Sequence, residues 1–191
     1  MENNVFLCNT FSVKNMMKNL KIWLAVIVLF LPFTLIDVFG QDGNTYSTPE
    51  RLFYIARSAN KNLVCYDVNL VSGKLDVEKP INVYWVNREE HPGKTNGLSY
   101  IQRKMAYGYK LISSSDDASV CSLTAYPDRK LTIEKGESGY VCYIQINNKK
   151  AILKSLYVKA SPRNPLSVEY VELRGVTVDS KEAVTERVKK K

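Results

Sequence analysis

The chain has 191 residues, with 27 Lys and Arg against 19 Asp and Glu, four Cys and 45% apolar residues. This length and composition exclude a large multidomain protein, a collagen-like or disordered chain and a disulfide-dense miniprotein. His91 is the single histidine, which excludes any site that needs two or more histidines.

The first forty residues carry the pattern of a secretory signal peptide. Three lysines, the last at position 21, precede the apolar run 22–31, and the short segment 38–40 then leads to Gln41. A basic segment, a short apolar run and small residues before a cut are typical of export, with cleavage before Gln41. Met16 is a second possible translation start, so residues 1–15 can be interpreted as an over-long N-terminus.

A membrane anchor is the alternative interpretation of this segment. A spanning helix needs about 20 apolar residues, whereas Pro32, Thr34 and Asp37 interrupt the stretch. We therefore expect residues 1–40 to be removed, and residues 41–191 to form one exported β domain, periplasmic or secreted. Membrane contact is then expected only through the signal segment, if it is not cleaved.

Beyond residue 50 the pattern changes to short β-strands separated by turn residues. Strands are predicted at 51–58, 63–69, 81–87, 109–113, 119–126, 130–135, 139–147, 150–160, 168–178 and 183–188. The last segment also fits a short helix that begins at Asp179 with Glu182 as its capping partner. About nine to ten strands with frequent turn signals predict an all-β fold, a single antiparallel β-barrel or sandwich, with one helix packed on it.

That one helix is predicted at 98–107, and Gly108 follows where a left-handed cap would lie. At about 100° per residue, two faces separate. The face expected on the sheet comprises Leu98, Ile101, Gln102 and Met105. The face expected in solvent comprises Tyr100, Arg103, Lys104 and Tyr107. Cations beside phenols suit a carboxylate, phosphate, sulfate or sugar, so this face is a candidate ligand-binding surface, although cations are also common on solvated faces.

His91 lies in the loop 88–96 beside Glu89 and Glu90 and is a second candidate ligand-binding residue. An acid–base pair is conceivable there, but neighbouring residues rarely point at one atom. The motifs of serine hydrolases, zinc proteases and P-loop enzymes are absent from the sequence. We therefore predict no catalytic residues, no metal ligands and no cofactor, and we keep an enzyme only as a weaker alternative.

Cys65, Cys121 and Cys142 remain after the predicted cleavage, so at most one internal disulfide can form. A Cys121–Cys142 bridge is compatible with the pattern if their strands are neighbours. Two reduced, buried thiols fit it equally well.

Three segments resemble a known family: RLFYIARSANKNLVCYDVNL, KPINVYWVN and LSYIQRKMAYGYK. They are similar to signature blocks of the bacterial domain-of-unknown-function family 4833, found in exported proteins. The resemblance covers about 51–173, and 101–109 (IQRKMAYGY) is its most specific part. It implies a single small exported domain and assigns no activity or binding residues.

These observations favour a non-enzymatic binding module of the cell envelope. The net charge of +8 fits a small anionic or glycan ligand, and export argues against nucleic acid, although charge also serves solubility alone. An alternative is a structural or assembly partner of another envelope protein. A hydrolase that uses His91 with Glu89 or Glu90, or the Tyr100 and Lys104 pair, is the weaker alternative.

Overall fold

Alternation of apolar and polar residues folds most of this chain into strands. The structure, a computed structural model, describes residues 50–164 and 167–189, so the predicted signal peptide lies outside the described residues. The strands are β1 (Arg51–Arg57), β2 (Asn60–Val68), β3 (Leu70–Val71), β4 (Lys74–Leu75), β5 (Ile81–Val86), β6 (Thr95–Gly97), β7 (Tyr109–Ser114), β8 (Ala118–Leu123), β9 (Tyr126–Gly136), β10 (Gly139–Ile146), β11 (Lys149–Ala160), β12 (Val168–Thr177) and β13 (Ala183–Lys189).

Within residues 50–164 and 167–189, one short helical segment is present, and it lies between β6 and β7. It consists of α1 (Tyr100–Gln102), which continues directly into a π-helical turn, Arg103–Tyr107; together we call them the 100–107 turn. In the part of the chain that the structure describes, no helix is both long enough and apolar enough to cross a membrane.

Eleven strands form one sheet, and β3 pairs with β4 in a separate small hairpin. Nine of the eleven follow the order β6-β5-β2-β1-β11-β10-β9-β8-β7 and curl strongly into an open half-barrel. The prediction of a mostly β protein with one helix is therefore confirmed. The closed barrel is wrong, because β6 and β7, the two ends of the path, do not pair with each other among the described residues.

The long strand β11 explains how the sheet branches. One of its edges pairs with β12 along 151–160. The other edge is divided, since β10 pairs with 149–152 and β1 pairs with 155–158. The β1–β11 pairing is parallel, so the predicted purely antiparallel sheet is also wrong. A parallel pairing between strands about a hundred residues apart leaves no local turn signal in the sequence.

The core lies on the concave side of this sheet. Every other residue of β2 points into it, from Val64 through Tyr66 to Val68, and Phe53 of β1 stacks on Tyr66 with ring centroids 4.3 Å apart. Ile81 is fully buried there, and Trp85 packs at the edge of the same cluster. Thr45–Lys191 is a compact unit that holds every described strand and this core.

The order of the strands decides whether Cys121 and Cys142 can form a disulfide. Cys121 on β8 pairs with Leu131 of β9, and Cys142 on β10 pairs with Ile133 of the same strand. Strand β9 therefore separates them, and strands two apart lie roughly 10 Å from each other, too far for a disulfide. Of the two alternatives that the sequence left open, the structure has the reduced one: Cys121 and Cys142 are free, buried thiols, and the possible bridge is not formed.

Candidate functional site

The 100–107 turn begins at a well-formed cap. Ser99 accepts a hydrogen bond from the backbone N–H of Gln102, and the Gln102 side chain accepts one from the Ser99 N–H. This reciprocal capping box satisfies two donors that a helix start leaves unpaired. The turn then widens to π-helical spacing from Arg103 onward.

Gly108 ends the turn, but not through the left-handed conformation that the sequence predicted. Its φ of −70° and ψ of 174° are extended. A Cβ on Gly108 would lie 2.1 Å from the backbone oxygen of Arg103. Glycine is needed here because the wide π turn brings that carbonyl directly against the chain.

The faces of the turn differ from the predicted ones. Leu98 is buried as expected, but Ile101 and Met105 are 67% and 74% exposed. Tyr107, predicted in solvent, is only 7% exposed and belongs to the core. The prediction assumed 100° per residue throughout, and the π-helical segment Arg103–Tyr107 has a different period, which accounts for Met105 and Tyr107. Ile101 precedes that segment, and the change of period does not explain its exposure.

Tyr107 anchors the turn to the sheet through three contacts. Its hydroxyl accepts a hydrogen bond of 2.7 Å from Nη1 of Arg57, and its backbone oxygen accepts one of 2.7 Å from the hydroxyl of Tyr66. Its ring packs edge-on against Trp85, with centroids 5.2 Å apart. Tyr107 is therefore a structural residue of this fold.

The other predicted ligand-binding residues stay on the surface, and two of them, Tyr100 and Lys104, lie close together. Arg103 and Lys104 are exposed, and the ammonium of Lys104 lies 5.8 Å from the centroid of the exposed Tyr100 ring. His91 is exposed in the loop between β5 and β6. Among the described residues, the side chain of His91 has no hydrogen bond or ion pair with Glu89 or Glu90.

A different place in the sheet forms a cleft. Its volume is about 580 Å³, and it lies over the outer face of β2 and β5, beside the short strand β6. It is lined by Glu50, Asp67, Val68, Asn69, Leu70, Asn82, Tyr84, Thr95, Asn96 and Gly97. Sequence analysis missed this site, because β6 reads as a loop and the residues are contributed by four separate segments.

Three side chains at the wall of the cleft hold one another in place. Asp67 on β2 accepts a hydrogen bond from Nε of Arg51, and the hydroxyl of Tyr84 donates to the other carboxylate oxygen at 2.5 Å. Nη2 of Arg51 also donates to the Tyr84 hydroxyl at 3.1 Å. Burial, and then the hydrogen bond to Asp67, raises the pKa of Tyr84 to about 12, so its hydroxyl stays protonated near neutral pH.

Cys65 lies on β2 beside the group formed by Arg51, Asp67 and Tyr84. In the strand register it pairs with Tyr54 of β1 on one side and with Tyr84 of β5 on the other. Burial raises its pKa to about 11 despite the nearby positive charge of Arg51. Because the thiolate is the reactive form of cysteine, Cys65 is a poor nucleophile at neutral pH. It packs with Leu63 and Val86 in a small second cluster on the outer face of the sheet.

The lining of the cleft determines which chemistry it can perform. It contains two carboxylates, three amides, a phenol and a threonine hydroxyl, but no Lys or Arg. The described residues contain no group of three or more His, Cys, Asp and Glu placed to hold a metal ion. The cleft is thus arranged to exchange hydrogen bonds with a polar ligand.

Two of the amide side chains that line the cleft are available to hydrogen-bond with a ligand. Asn82 and Asn96 are exposed, and their side chains have no hydrogen-bond partner among the described residues. The amide nitrogen of Asn69, in contrast, donates to Asp76 at 3.0 Å and to the backbone oxygen of Lys79 at 2.9 Å. Gly97 lies opposite Tyr84 in the register, and a Cβ there would meet no atom within 4 Å.

Comparison with known proteins gives a family but no activity. No curated protein and no solved structure matches the chain. The family model described as Domain of unknown function (DUF4833) matches residues 53–187, which include every main-sheet strand at least in part. The match therefore takes in the 100–107 turn and nearly all of the cleft lining and the core, and the chain belongs to this family.

Proposed function

We propose that this protein is an exported, non-enzymatic binding module of the cell envelope whose cleft takes a neutral, hydroxyl-rich ligand such as a glycan. The observation that carries the proposal is the cleft of about 580 Å³ with its amide and carboxylate lining. Small-molecule pockets usually measure about 300–1,000 Å³, so a sugar of one or two rings fits this space. The extracytoplasmic location is supported by the N-terminal pattern of residues 1–40.

The charge of the lining favours a neutral ligand over an anionic one. Glu50 and Asp67 contribute carboxylates, and the nearest cation, Arg51, already binds Asp67. A phosphate or sulfate entering the cleft would meet like charge without a cation in the lining to offset it.

The amides favour hydroxyl groups in particular. Each Asn side chain offers two donors and an acceptor, and a sugar hydroxyl both donates and accepts. Asn82 lies two residues before Tyr84 on β5, and Asn96 lies on the neighbouring strand β6. The position of Tyr84 is fixed by Asp67 and Arg51. A ligand there would meet polar groups held by the sheet, which reduces the entropy cost of binding.

The test is binding of the wild type and variants to an array of neutral and acidic oligosaccharides, followed by calorimetry with the strongest binder. We expect a neutral oligosaccharide to bind, and Asn82→Ala/Asn96→Ala to weaken it by about tenfold or more, since each lost hydrogen bond contributes about 1 kcal/mol. Gly97→Leu should block the cleft by filling the open space opposite Tyr84.

The matched control is Gln145→Ala, which removes an exposed amide from β10, a strand separated from β5 by three others. It should leave the affinity unchanged. Circular dichroism and thermal unfolding establish that each variant is folded. Unchanged binding in both cleft variants would refute the proposal. Binding only to sulfated or phosphorylated sugars, lost in Arg103→Ala/Lys104→Ala, would instead favour the surface predicted from the sequence.

A further inference from the structure

The 100–107 turn displays large apolar side chains to solvent although its base is firmly packed. Tyr100 and Met105 are each 74% exposed and Ile101 is 67% exposed, which makes them the most exposed large apolar side chains among the described residues. Beneath them, Leu98 and Tyr107 are buried in the core. The fold therefore holds these three side chains outward on an anchored base.

Charge in this part of the chain is entirely positive. Residues 91–115 contain Lys94, Arg103, Lys104 and Lys110 and no Asp or Glu. Arg103 and Lys104 lie on the turn itself, between the exposed apolar residues in sequence, and both are exposed. The surface thus combines apolar tips with cations.

We infer that the 100–107 turn docks the domain on an anionic lipid bilayer, with Tyr100, Ile101 and Met105 entering the interface and Arg103 and Lys104 contacting lipid phosphates. Cations close to an anionic membrane are attracted to it, and apolar side chains next to them add burial in the acyl boundary. Tyrosine is favoured at that depth because its ring is apolar and its hydroxyl is polar.

A bilayer fits this surface better than a protein partner does. Three side chains bury only a few hundred Å² at most, whereas a specific protein interface needs roughly 1,000 Å². A bilayer requires no complementary shape, and its negative surface potential matches the absence of carboxylates from 91–115.

Such docking leaves the cleft accessible, although it does not depend on the cleft's ligand. The turn packs through Tyr107 against Trp85 of β5, while Tyr84 of the same strand lines the cleft. Neighbouring residues of a strand point to opposite faces. The turn and the cleft therefore lie on opposite faces of β5.

The experiment uses the Thr45–Lys191 unit, so that the N-terminal apolar segment does not contribute, and phosphatidylcholine vesicles with or without phosphatidylglycerol. We expect co-sedimentation only with phosphatidylglycerol, and less of it at high salt. Ile101→Ser/Met105→Ser should reduce binding by about tenfold or more. Arg103→Gln/Lys104→Gln should weaken binding and flatten its salt dependence.

A site-specific readout separates insertion from adsorption elsewhere. The three native cysteines of the unit are buried, so Ile101→Cys can be labelled with an environment-sensitive fluorophore. Vesicles should shift its emission to the blue, while the same label at Gln145→Cys on β10 should not respond.

Two outcomes would overturn the inference. One is equal vesicle binding by wild type and Ile101→Ser/Met105→Ser when both are folded by circular dichroism. The other is a wild type that ignores vesicles but forms a dimer, or a stoichiometric complex with another protein, that the same substitutions abolish.

Discussion

Tyr107 shows how one residue's position changes the interpretation of a whole segment. As the last member of a stripe with Tyr100, Arg103 and Lys104, it had a chemically reasonable place on a binding surface. In the structure it lies under the turn, where it accepts hydrogen bonds from Arg57 and Tyr66 and packs against the ring of Trp85. The remaining exposed residues then have a different composition, in which apolar side chains dominate.

Removing one hydroxyl tests this structural role. Tyr107→Phe deletes the acceptor of a 2.7 Å hydrogen bond from Arg57 while it keeps the buried ring. Because hydrogen bonds to charged groups contribute about 1.5–3 kcal/mol, we expect the free energy of unfolding to fall by about that amount. Urea denaturation at neutral pH measures the change.

Tyr100→Phe is the matched control, since it removes the same atom from an exposed ring of the same turn. It should change stability by less than about 0.5 kcal/mol. If the two variants were equally stable, Tyr107 would not be held as described.

The residue types of this turn were readable in the sequence, but their directions were not. A period of 3.6 residues assigned Met105 inward and Tyr107 outward, and both assignments are wrong. The π-helical spacing depends on the close approach of the Arg103 carbonyl to Gly108 and on the fit of Tyr107 into the core. Those are contacts with the rest of the fold, which no local pattern encodes.

At the scale of elements, the β12–β13 pair is joined by a buried carboxylate with two guanidinium partners. Glu172 lies opposite Arg187 in the register and accepts a hydrogen bond of 2.9 Å from it. Nε of Arg174 on the same strand donates to the other oxygen at 2.8 Å. The side chain of Glu172 is largely shielded from water, whereas both arginines are about half exposed.

This cluster makes stability depend on acid pH. Hydrogen bonds from Arg187 and then Arg174 lower the pKa of Glu172 from its ordinary value of 4.5. A lowered pKa in the folded state contributes stability that is present above about pH 4.5 and is lost as the pH falls through the lowered value. We expect Glu172→Gln to reduce stability at pH 7 by about 1 kcal/mol and to weaken the acid-induced loss.

Urea midpoints measured from pH 7 down to pH 3 test this prediction. Glu169→Gln changes an exposed carboxylate on the same strand and should behave like the wild type. An acid limb that is identical in wild type and Glu172→Gln would contradict it.

Turn chemistry explains which elements the sequence could predict. Asn147 and Asn148 adopt left-handed φ values of 48° and 62°, as a tight hairpin requires, and the strands predicted on either side of them, β10 and β11, pair as a hairpin. The choice of a strand over a helix for 183–188 is confirmed too. The short strand β6, Thr95–Gly97, was missed because all three of its residues are exposed and its sequence is typical of a loop.

At the scale of the whole molecule, the sheet separates two apolar regions. Cys121 and Cys142 lie in the main core, whereas Cys65 lies in the small cluster on the other face. Burial raises the pKa of Cys121 to about 12 and that of Cys142 well above its usual value. If all three thiols are protected from a thiol reagent, the packing on both faces of the sheet is therefore intact.

Thiol reactivity in the Thr45–Lys191 unit tests this arrangement. At pH 8 we expect none of the three cysteines to react with a disulfide reagent in the native state, and all three to react in denaturant. Val71→Cys, at an exposed position, should react at once and serves as the positive control. Rapid modification of Cys65 in the folded unit would show that the outer cluster is open.

The sequence by itself determined the β class and the approximate positions of the longer strands, because alternation and turn residues are local signals. Only the tertiary structure decided the parallel β1–β11 pairing, the position of β9 between Cys121 and Cys142, and the assembly of the cleft. Each of these depends on which distant strands become neighbours. Strand order is selected by the packing of the complete core. The local sequence of a strand does not indicate which distant strand it will pair with.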